Sequence, residues 1–312
     1  MLNLKKVLTK LNKQINFKNK KIYIAVSGGV DSMVLLNIFI KIRLKIISLR
    51  IEVLHCNFNL RVIDSKKEEE LIKKICKRNK IVYHMKKFSF PSNQSIQLIA
   101  RKLRFFWFKK MLKTNCFNYI ALGHNLNDSI ETFFINIKRG TSLKGMKGII
   151  YKKKYLIRPL IDFSRSDILK YAKKNHISWM EDKSNKSQKY LRNKIRKDLS
   201  NVLDQNFYEG FKKTFIFFQE ENLLIKNHLK IIEQYICKKT KNQIFFFINK
   251  ILNLNFIKFY LHKYFSKYGF LNIKDIIKII ISKNGKQIFS KDLNYVLLKK
   301  QNQLILIKER NE

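Results

Sequence analysis

Residues 21–39 read KIYIAVSGGVDSMVLLNIF. A β-rich apolar run over 21–26 ends at a glycine pair, and a helix-like run over 32–42 follows at once. The chain has only nine glycines in 312 residues, so two side by side mark a backbone that must turn sharply or approach another group closely. A buried strand passing through such a turn into a helix is the first half of a strand–helix–strand unit, and that narrows the architecture more than any other feature of the chain.

The same alternation continues downstream. Residues 45–59 contain a second strand with a polar exit, 64–79 an amphipathic helix carrying Leu71, Ile72 and Ile75, and 80–88 a third strand. After Pro91 a long helix is expected over 94–113, then a fourth strand over 119–124 and a helix over 126–139 stopped by Gly140. Strands alternating with helices predict an α/β domain with a doubly wound parallel sheet. Beyond LIRPL (156–160) the strand signal thins. Residues 164–175 and 187–235 read as mainly helical, and 252–312 as a small mixed α/β tail whose last stretch, YVLLKKQNQLILIKE, has the form of a hairpin. There is no repeat and no Gly/Ser-rich linker. The domain break is placed near residue 200, giving a domain over 1–200 and a C-terminal region over 201–312.

In a doubly wound sheet, ligands bind beyond the carboxyl ends of the strands. Three of the four early strands end in small or polar residues: Ser27-Gly28-Gly29, His55-Cys56-Asn57 and Gly123-His124. At the first exit a glycine turn exposes backbone N–H groups and the next helix presents its positive N-terminus, which together cradle an anion such as phosphate. Ser27 and Ser32 add hydroxyl donors. Asp31 would repel phosphate by itself, so its place here makes sense as a magnesium ligand. A lone Gly-Gly is more often an ordinary capped turn. The complete Ser27-Gly28-Gly29-Val30-Asp31-Ser32, with a strand before it and a helix after it, favours a phosphate site. It is not the GxxxxGK(S/T) loop, since no lysine follows the glycines.

A second constellation lies in ALGHNLNDSIETFFINIKRG (121–140). Asp128 and Glu131 are spaced i, i+3 and share a helix face, with His124 at the strand exit before them. Such a pair can position an ammonium group, take its proton, or bind magnesium. The usual fate of an acid pair is a solvated helix face, but this chain has 22 acids against 66 bases, which makes clustering at a strand exit less idle.

That imbalance, a net charge of +44, calls for a polyanionic partner, of which nucleic acid is the commonest. Abundant Lys, Ile, Asn and Phe with scarce Gly, Pro and Ala are also the skew of an AT-rich genome, to which roughly a third of the excess is assigned. No apolar run is long enough to span a bilayer, and lysines interrupt the N-terminal leucines where a signal peptide would need a continuous core. A cytoplasmic protein with no membrane partner is expected. Four scattered cysteines, Cys56, Cys76, Cys116 and Cys237, with no CxxC pair, argue against disulfides, a zinc knuckle or a two-cysteine redox site.

Taken in order and spacing, SGGVDS, HCNFNLR (55–61), ARKLRFFWF (100–108), GHNLNDSIETFFINIKRGTSLKGMKGI (123–149), RPLIDFSR (158–165) and WMEDKSNKSQKYLRNKIRKDL (179–199) resemble the tRNA(Ile)-lysidine synthase family, a branch of the N-type ATP pyrophosphatases. The first signature is shared by that whole superfamily. The series is far more specific and covers about residues 20–200. The stretch SKNGKQIFSKDLNYVLL (282–298) resembles part of the family's variable C-terminal region, and the chain is expected to stop before a further small domain. Two positions depart from the commoner GHHxDDQxET: Asn125 stands for the second His and Asn127 for the first Asp.

The resemblance implies ATP at Ser27, Gly28, Gly29, Val30, Asp31 and Ser32, with Mg2+ on Asp31 and Arg104 as a further ATP contact. It implies Asp31, His124, Asp128 and Glu131 as catalytic residues, and Arg61, Arg101 and Arg192 as substrate contacts. The partners are isoleucine tRNA with a CAU anticodon and free L-lysine, and a homodimer is left open. The C2 oxygen of the wobble cytidine is a poor leaving group. Adenylation activates it, and the lysine amine then displaces AMP. Phe105, Phe106 and Trp107 are candidates for holding an unstacked base, although helix periodicity favours them as core. Two other classes remain. One is an ATP-dependent tRNA sulfurtransferase of the same superfamily, which usually carries sulfur on paired cysteines. The other is a non-catalytic basic RNA-binding relative with a degraded ATP site.

Overall fold

The computed structural model describes residues 2–15, 17, 19–59, 62–89, 96–181 and 191–309. In chain order the elements up to residue 199 are α1 (Leu4–Gln14), β1 (Lys21–Ala25), α2 (Val30–Lys45), β2 (Arg50–Asn57), α3 (Val62–Arg78), β3 (Val82–Lys87), α4 (Ile96–Thr114), β4 (Tyr119–Ala121), α5 (Leu126–Lys138), α6 (Leu143–Met146), β5 (Lys152–Lys153), β6 (Leu156–Ile157), α7 (Arg165–Lys174) and α8 (Leu191–Leu199). There follow α9 (Gln205–Ile236), β7 (Cys237–Lys239), β8 (Gln243–Phe247), α10 (Ile248–Leu252), α11 (Ile257–Phe265), α12 (Ile273–Ile281), β9 (Gln287–Phe289), β10 (Tyr295–Lys300) and β11 (Gln303–Lys308). The chain divides into two compact units, Met1–Gln219 and Glu220–Glu312, with the division falling inside α9.

The first unit is built on a six-stranded sheet in the order β3-β2-β1-β4-β6-β5. All its pairings are parallel except β5 with β6. This is the expected doubly wound α/β sheet, and its order reverses between β1 and β4, where a crevice opens at the strand ends. The period of two in β1 explains the layers. Ile22 and Ile24 join the core formed with α1, α2, α3 and α7, while Tyr23 joins Trp107, Phe108 and Leu112 of α4 on the other face. Helix α2 is buried on nearly every side, from Val30 to Ile42, which matches its unbroken apolar sequence.

Some local expectations shift. Strand β4 closes after Ala121 rather than at residue 124, because the chain leaves the ladder to pass Gly123 against the start of α2. A Cβ at Gly123 would lie 3.2 Å from the backbone of Asp31 and Ser32. The N-terminal Leu/Lys stretch forms α1, its apolar residues Val7 and Leu11 turned inward and its lysines outward. A third core lies under α5, where Leu126, Ile130, Tyr208 and Phe215 are packed by Phe133, Phe134, Phe207 and Phe211.

The second unit holds a five-stranded antiparallel sheet, β7-β8-β11-β10-β9, around Phe246, Phe265, Ile276, Ile279 and Leu304. The expected terminal hairpin is β10 and β11, paired from Tyr295 with Lys308 to Lys300 with Gln303. Strands β7 and β8 fall between residues 235 and 252, where the sequence pattern assigns no element. Cys237 starts β7. Among the described residues no helix is long and apolar enough to cross a membrane.

Candidate active site

The Ser27–Ser32 loop is closed on itself by its two serines. Ser32 Oγ donates to the Gly29 carbonyl at 2.8 Å and accepts from the Ser27 N–H at 3.1 Å, with the Ser27 hydroxyl 3.3 Å away. Gly28 has φ +88°, in the left-handed region where a side chain is strained, and a Cβ there would meet Glu68 Cγ at 3.1 Å. The Gly28 carbonyl accepts from the Met180 N–H at 3.0 Å. Gly29 caps α2 with extended backbone, so the first N–H groups of that helix face the strand exits.

Beside this loop lies a cavity of about 230 Å³ lined by Ser27, Gly29, Asp31 and Ser32, with Cys56, Arg104 and His124 across from them. Alternation along β2 sends Cys56 to this cavity and His55 away from it. His55 is buried behind the loop, donating from Nδ1 to the Val26 carbonyl at 2.9 Å, and burial holds it below the usual histidine range.

Asp31 is the hub. Its Oδ1 accepts from Asn125 Nδ2 at 2.9 Å and its Oδ2 pairs with Arg165 Nη1 at 2.9 Å. Burial raises its pKa against the opposing pull of Arg165 and Asn125. Asn125 caps α5 in a reciprocal capping box with Asp128: its Oδ1 accepts from the Asp128 N–H at 3.1 Å, and Asp128 Oδ2 accepts from the Asn125 N–H at 2.9 Å. Asn127 Oδ1 accepts from the Arg165 N–H at 2.9 Å, at the start of α7, while its Nδ2 donates to the Tyr208 hydroxyl. Asn125, the cap of α5, and the side chain of Arg165, the first residue of α7, therefore meet on Asp31 in the first turn of α2, while Asn127 joins the starts of α5 and α7. Each such terminus carries partial positive charge, and the sequence had indicated only one for the phosphate site.

His124 sits at the β4 exit. Arg158, itself buried, donates from Nε to His124 Nδ1 at 3.3 Å and from Nη1 to the Ile150 carbonyl at 2.9 Å. Burial first, then the charges of Arg158, Arg192, Arg101 and Arg104, push the His124 pKa down to about 3. It is thus neutral near pH 7. With Nδ1 accepting, its proton resides on Nε2, and it acts as a hydrogen-bond donor rather than a base.

Asp128 and Glu131 share a face of α5 as their spacing predicts. Glu131 is 2% exposed, and arginines of α8 occupy both its oxygens: Arg192 Nε at 2.5 Å on Oε2 and Arg196 Nε at 2.7 Å on Oε1. Arg192 also reaches the Asp128 carboxylate at 3.5 Å. On α4, Arg104 lines the cavity and lies over the Phe58 ring, and Arg101 lies over Phe105. The aromatic triplet divides: Trp107 is core, Phe105 half-buried and Phe106 71% exposed. Arg61 lies outside the described residues.

Sequence reasoning did not single out Arg158, Arg165 and Arg196. All three fall inside quoted motifs, in RPLIDFSR and YLRNKIRK. The available signal was an arginine at the start of an expected helix, and a second arginine four residues after Arg192. For magnesium, the donor set fits an ion arriving with nucleotide phosphates, which needs only one or two protein carboxylates, and Asp31 is the carboxylate lining the cavity. Among the described residues no cluster of three His, Cys, Asp or Glu side chains could hold a metal.

Residues 2–203 match the family model of a PP-loop domain, and residues 239–309 that of a TilS substrate binding domain. Curated proteins called tRNA(Ile)-lysidine synthase are similar along most of the chain. That of Clostridioides difficile is 32% identical over 93% of this chain and 61% of its own length. That of Bacteroides thetaiotaomicron is 30% identical over 92% of this chain and 67% of its own. That of Buchnera aphidicola subsp. Baizongia pistaciae is 34% identical over 75% and 53%. The chain thus spans about three-fifths to two-thirds of the length of the first two. A solved structure of the U34-tRNA thiolase NcsA from Methanococcus maripaludis, holding a 4Fe-4S cluster, has a TM-score of 0.56 at 17% identity, covering 68% of this chain and 77% of that one. That likeness is one of fold.

Proposed function

The chain belongs to the tRNA(Ile)-lysidine synthase family, and from that premise we propose that it ligates free lysine to C2 of the wobble cytidine in an isoleucine tRNA with a CAU anticodon. The reading rests chiefly on one observation: the glycine loop, Arg104 and a neutral His124 line a single cavity beside a carboxylate on which three helix N-termini converge. Such a cavity suits the phosphates of ATP.

In the first step the C2 oxygen of the cytidine attacks the α-phosphate, and pyrophosphate leaves. In the second the lysine amine adds at C2, AMP departs with the former C2 oxygen, and the amine gives up a proton. Backbone N–H groups of the loop and the Arg104 guanidinium meet the charge that develops on the transferring phosphate. His124 presents Nε2–H to an oxygen without adding a net charge. Asp31 would hold magnesium, which when bound neutralises the departing pyrophosphate. Glu131 fixes Arg192 and Arg196 at the acid end of the site, and Asp128 sits beside them where an incoming ammonium can be drawn.

The test is incubation with ATP, labelled lysine and isoleucine tRNA bearing CAU, followed by digestion. Label in the cytidine nucleotide is the expected result, and label nowhere in the tRNA sinks the reading. A sulfur-transfer reading is weaker here, because the one thiol on the cavity, Cys56, is pushed up to about 12 by burial despite the nearby Arg104, and a protonated thiol is a poor sulfur carrier.

A further inference from the structure

Arg165 has no role in the scheme above, yet it is the cation paired with Asp31 at the edge of the site. Its Nη1 lies 2.9 Å from Asp31 Oδ2. Its backbone N–H is held by Asn127 Oδ1 at 2.9 Å, which pins the first residue of α7 beside α5. Its side chain is 37% exposed and that of Asp31 24%, so the pair stands at the open side of the site rather than sealed in the core. A guanidinium has five N–H donors. Among the described residues the Asp31 contact is the one side-chain hydrogen bond Arg165 makes.

A carboxylate among the loop amides is unfavourable to an incoming polyphosphate unless a cation offsets it. Arg104 stands on the other side of the cavity, from α4. The cation placed to offset Asp31 from the α7 side is Arg165. Its remaining donors suit planar, two-point recognition of phosphate oxygens.

We propose that Arg165 is a nucleotide-binding residue: without nucleotide it is the counter-ion of Asp31, and with nucleoside triphosphate bound its guanidinium turns to the β- and γ-phosphates, with Asn127 holding its backbone in place. The inference rests on the proposed use of the cavity for ATP, but not on lysine or tRNA. It predicts a specific asymmetry. Arg165 contributes to binding of a triphosphate and contributes little to binding of a monophosphate, which lacks the groups it reaches.

The experiment is calorimetric titration of the full chain with ATP and, separately, with AMP, in magnesium and without tRNA. Arg165→Gln is expected to weaken ATP binding by about tenfold or more and to leave AMP within about twofold. Arg165→Lys, which keeps the charge without the fork, is expected to fall between them. Asn127→Ala should show a weaker form of the same asymmetry, because it frees the backbone of Arg165 and leaves its guanidinium intact. Equal losses for ATP and AMP, or no loss for either, overturn the proposal and leave Arg165 as a structural partner of Asp31. An ATP-selective loss in Arg165→Gln, together with wild-type protein that transfers no lysine to tRNA, sinks the ligase reading alone. Wild-type protein that binds neither nucleotide overturns this inference and the nucleotide-binding part of that reading together. Should Arg165→Gln not fold, judged by its melting transition, the lysine variant still decides the question.

Discussion

The two units spend their interiors differently. Among the described residues ten polar or charged side chains are buried, and nine, from Ser32 to Ser164, belong to the first unit, leaving Ser290 in the second. The core cluster of the second unit is built of buried Ile, Leu, Phe and Tyr, as in α12, where Ile276, Ile279 and Ile280 form one inward stripe. The first buries Glu131, Arg158, Asn125 and His55 close to a cavity. Burying such groups is costly unless each is partnered. Their concentration at the carboxyl ends of β1, β2 and β4 marks where stability is traded for chemistry, and the second unit serves as a reference of ordinary packing.

Substitution separates the two most sharply at Asp31. Asp31→Ala is expected to reduce pyrophosphate release by at least about a hundredfold, a loss typical of removing one group that stabilises charge in a transition state. tRNA affinity should stay within a few-fold, since the role proposed for the carboxylate is to hold magnesium. Phe265→Ala, in the second core and fully buried, should do the reverse: it should cost about 3–5 kcal/mol of stability with no such effect on the chemistry of the molecules that remain folded. Pyrophosphate release that survives Asp31→Ala would remove that residue from the site.

Glu131 comes next. Replacing it with Gln removes from Arg192 and Arg196 their shared counter-charge, a carboxylate that is 3% exposed, and leaves Arg192 its longer contact with Asp128; the arginines themselves are 39% and 34% exposed. The partial exposure softens the penalty for breaking a buried pair to about 1–3 kcal/mol. Adenylation and lysine transfer are both expected to slow, because both arginines lose their anchor. Accumulation of adenylated tRNA in single-turnover assays would instead assign Glu131 to the lysine step.

A pair of glycines makes the comparison geometric. Gly123→Ala puts a methyl group 3.2 Å from the Asp31 and Ser32 backbone, where neither β4 nor α2 can retreat. It should cost about 1–3 kcal/mol and weaken ATP binding. Gly285, in the second unit, has φ +84° and nothing within 4 Å of an added Cβ, so Gly285→Ala should cost only backbone strain of about 1–2 kcal/mol. Equal ATP affinity for wild type and Gly123→Ala would show that the close approach does not shape the site.

These residues also show what a sequence makes visible. The strand–turn–helix at 21–45 is local: its apolar run, glycines and helix caps all lie within one window, and the parallel sheet follows from repeating that window. Asp128 and Glu131 are legible because helix spacing places them together. The Asp31–Arg165 pair joins residues 134 positions apart, and no periodicity indicates it. Neither the left-handed Gly28 nor the tight approach at Gly123 shows in composition, though both glycines lie at strand exits that were marked. In the second unit β7 and β8 were unassigned because QIFFF, bounded by no glycine or proline, has no feature that separates a short buried strand from a helix turn.

Acid should reveal the same division more gently. His124 and His55 are both held below their ordinary values by burial, so in the pH range between the lowered folded values and the unfolded value near 6.5 the unfolded chain binds more protons. The stability they support is full above about pH 6.5 and is lost as pH falls toward the folded value, about 3 for His124. The first unit should therefore weaken on acidification by up to a few kcal/mol. His228 and His262 in the second unit are exposed. Hydrogen exchange followed from pH 7 to pH 4.5 should show protection lost first in β1, β2 and α5, and His124→Gln should flatten part of that slope. Uniform loss in both units would sever the link between buried histidines and acid lability.

The smallest effects are expected at the cysteines, where the comparison also tests the chemistry. Cys56 faces the cavity and Cys237 opens β7, its Sγ donating to the Glu233 carbonyl at 3.0 Å. Burial raises both thiols, Cys56 to about 12, so neither is a thiolate at neutral pH. A lysine-transferring enzyme needs no thiolate, because its nucleophile arrives as an amine. A sulfur-transferring enzyme needs one. Cys56→Ser and Cys237→Ser should then behave alike, each costing on the order of 1 kcal/mol in packing and leaving lysine incorporation within about tenfold of wild type, a range that such a stability loss can account for. If Cys56→Ser abolishes turnover while the protein still melts cooperatively and binds ATP and tRNA, the cavity thiol takes part in the chemistry. The two cysteines would then differ for a functional reason, and sulfur transfer would become the better reading of the site.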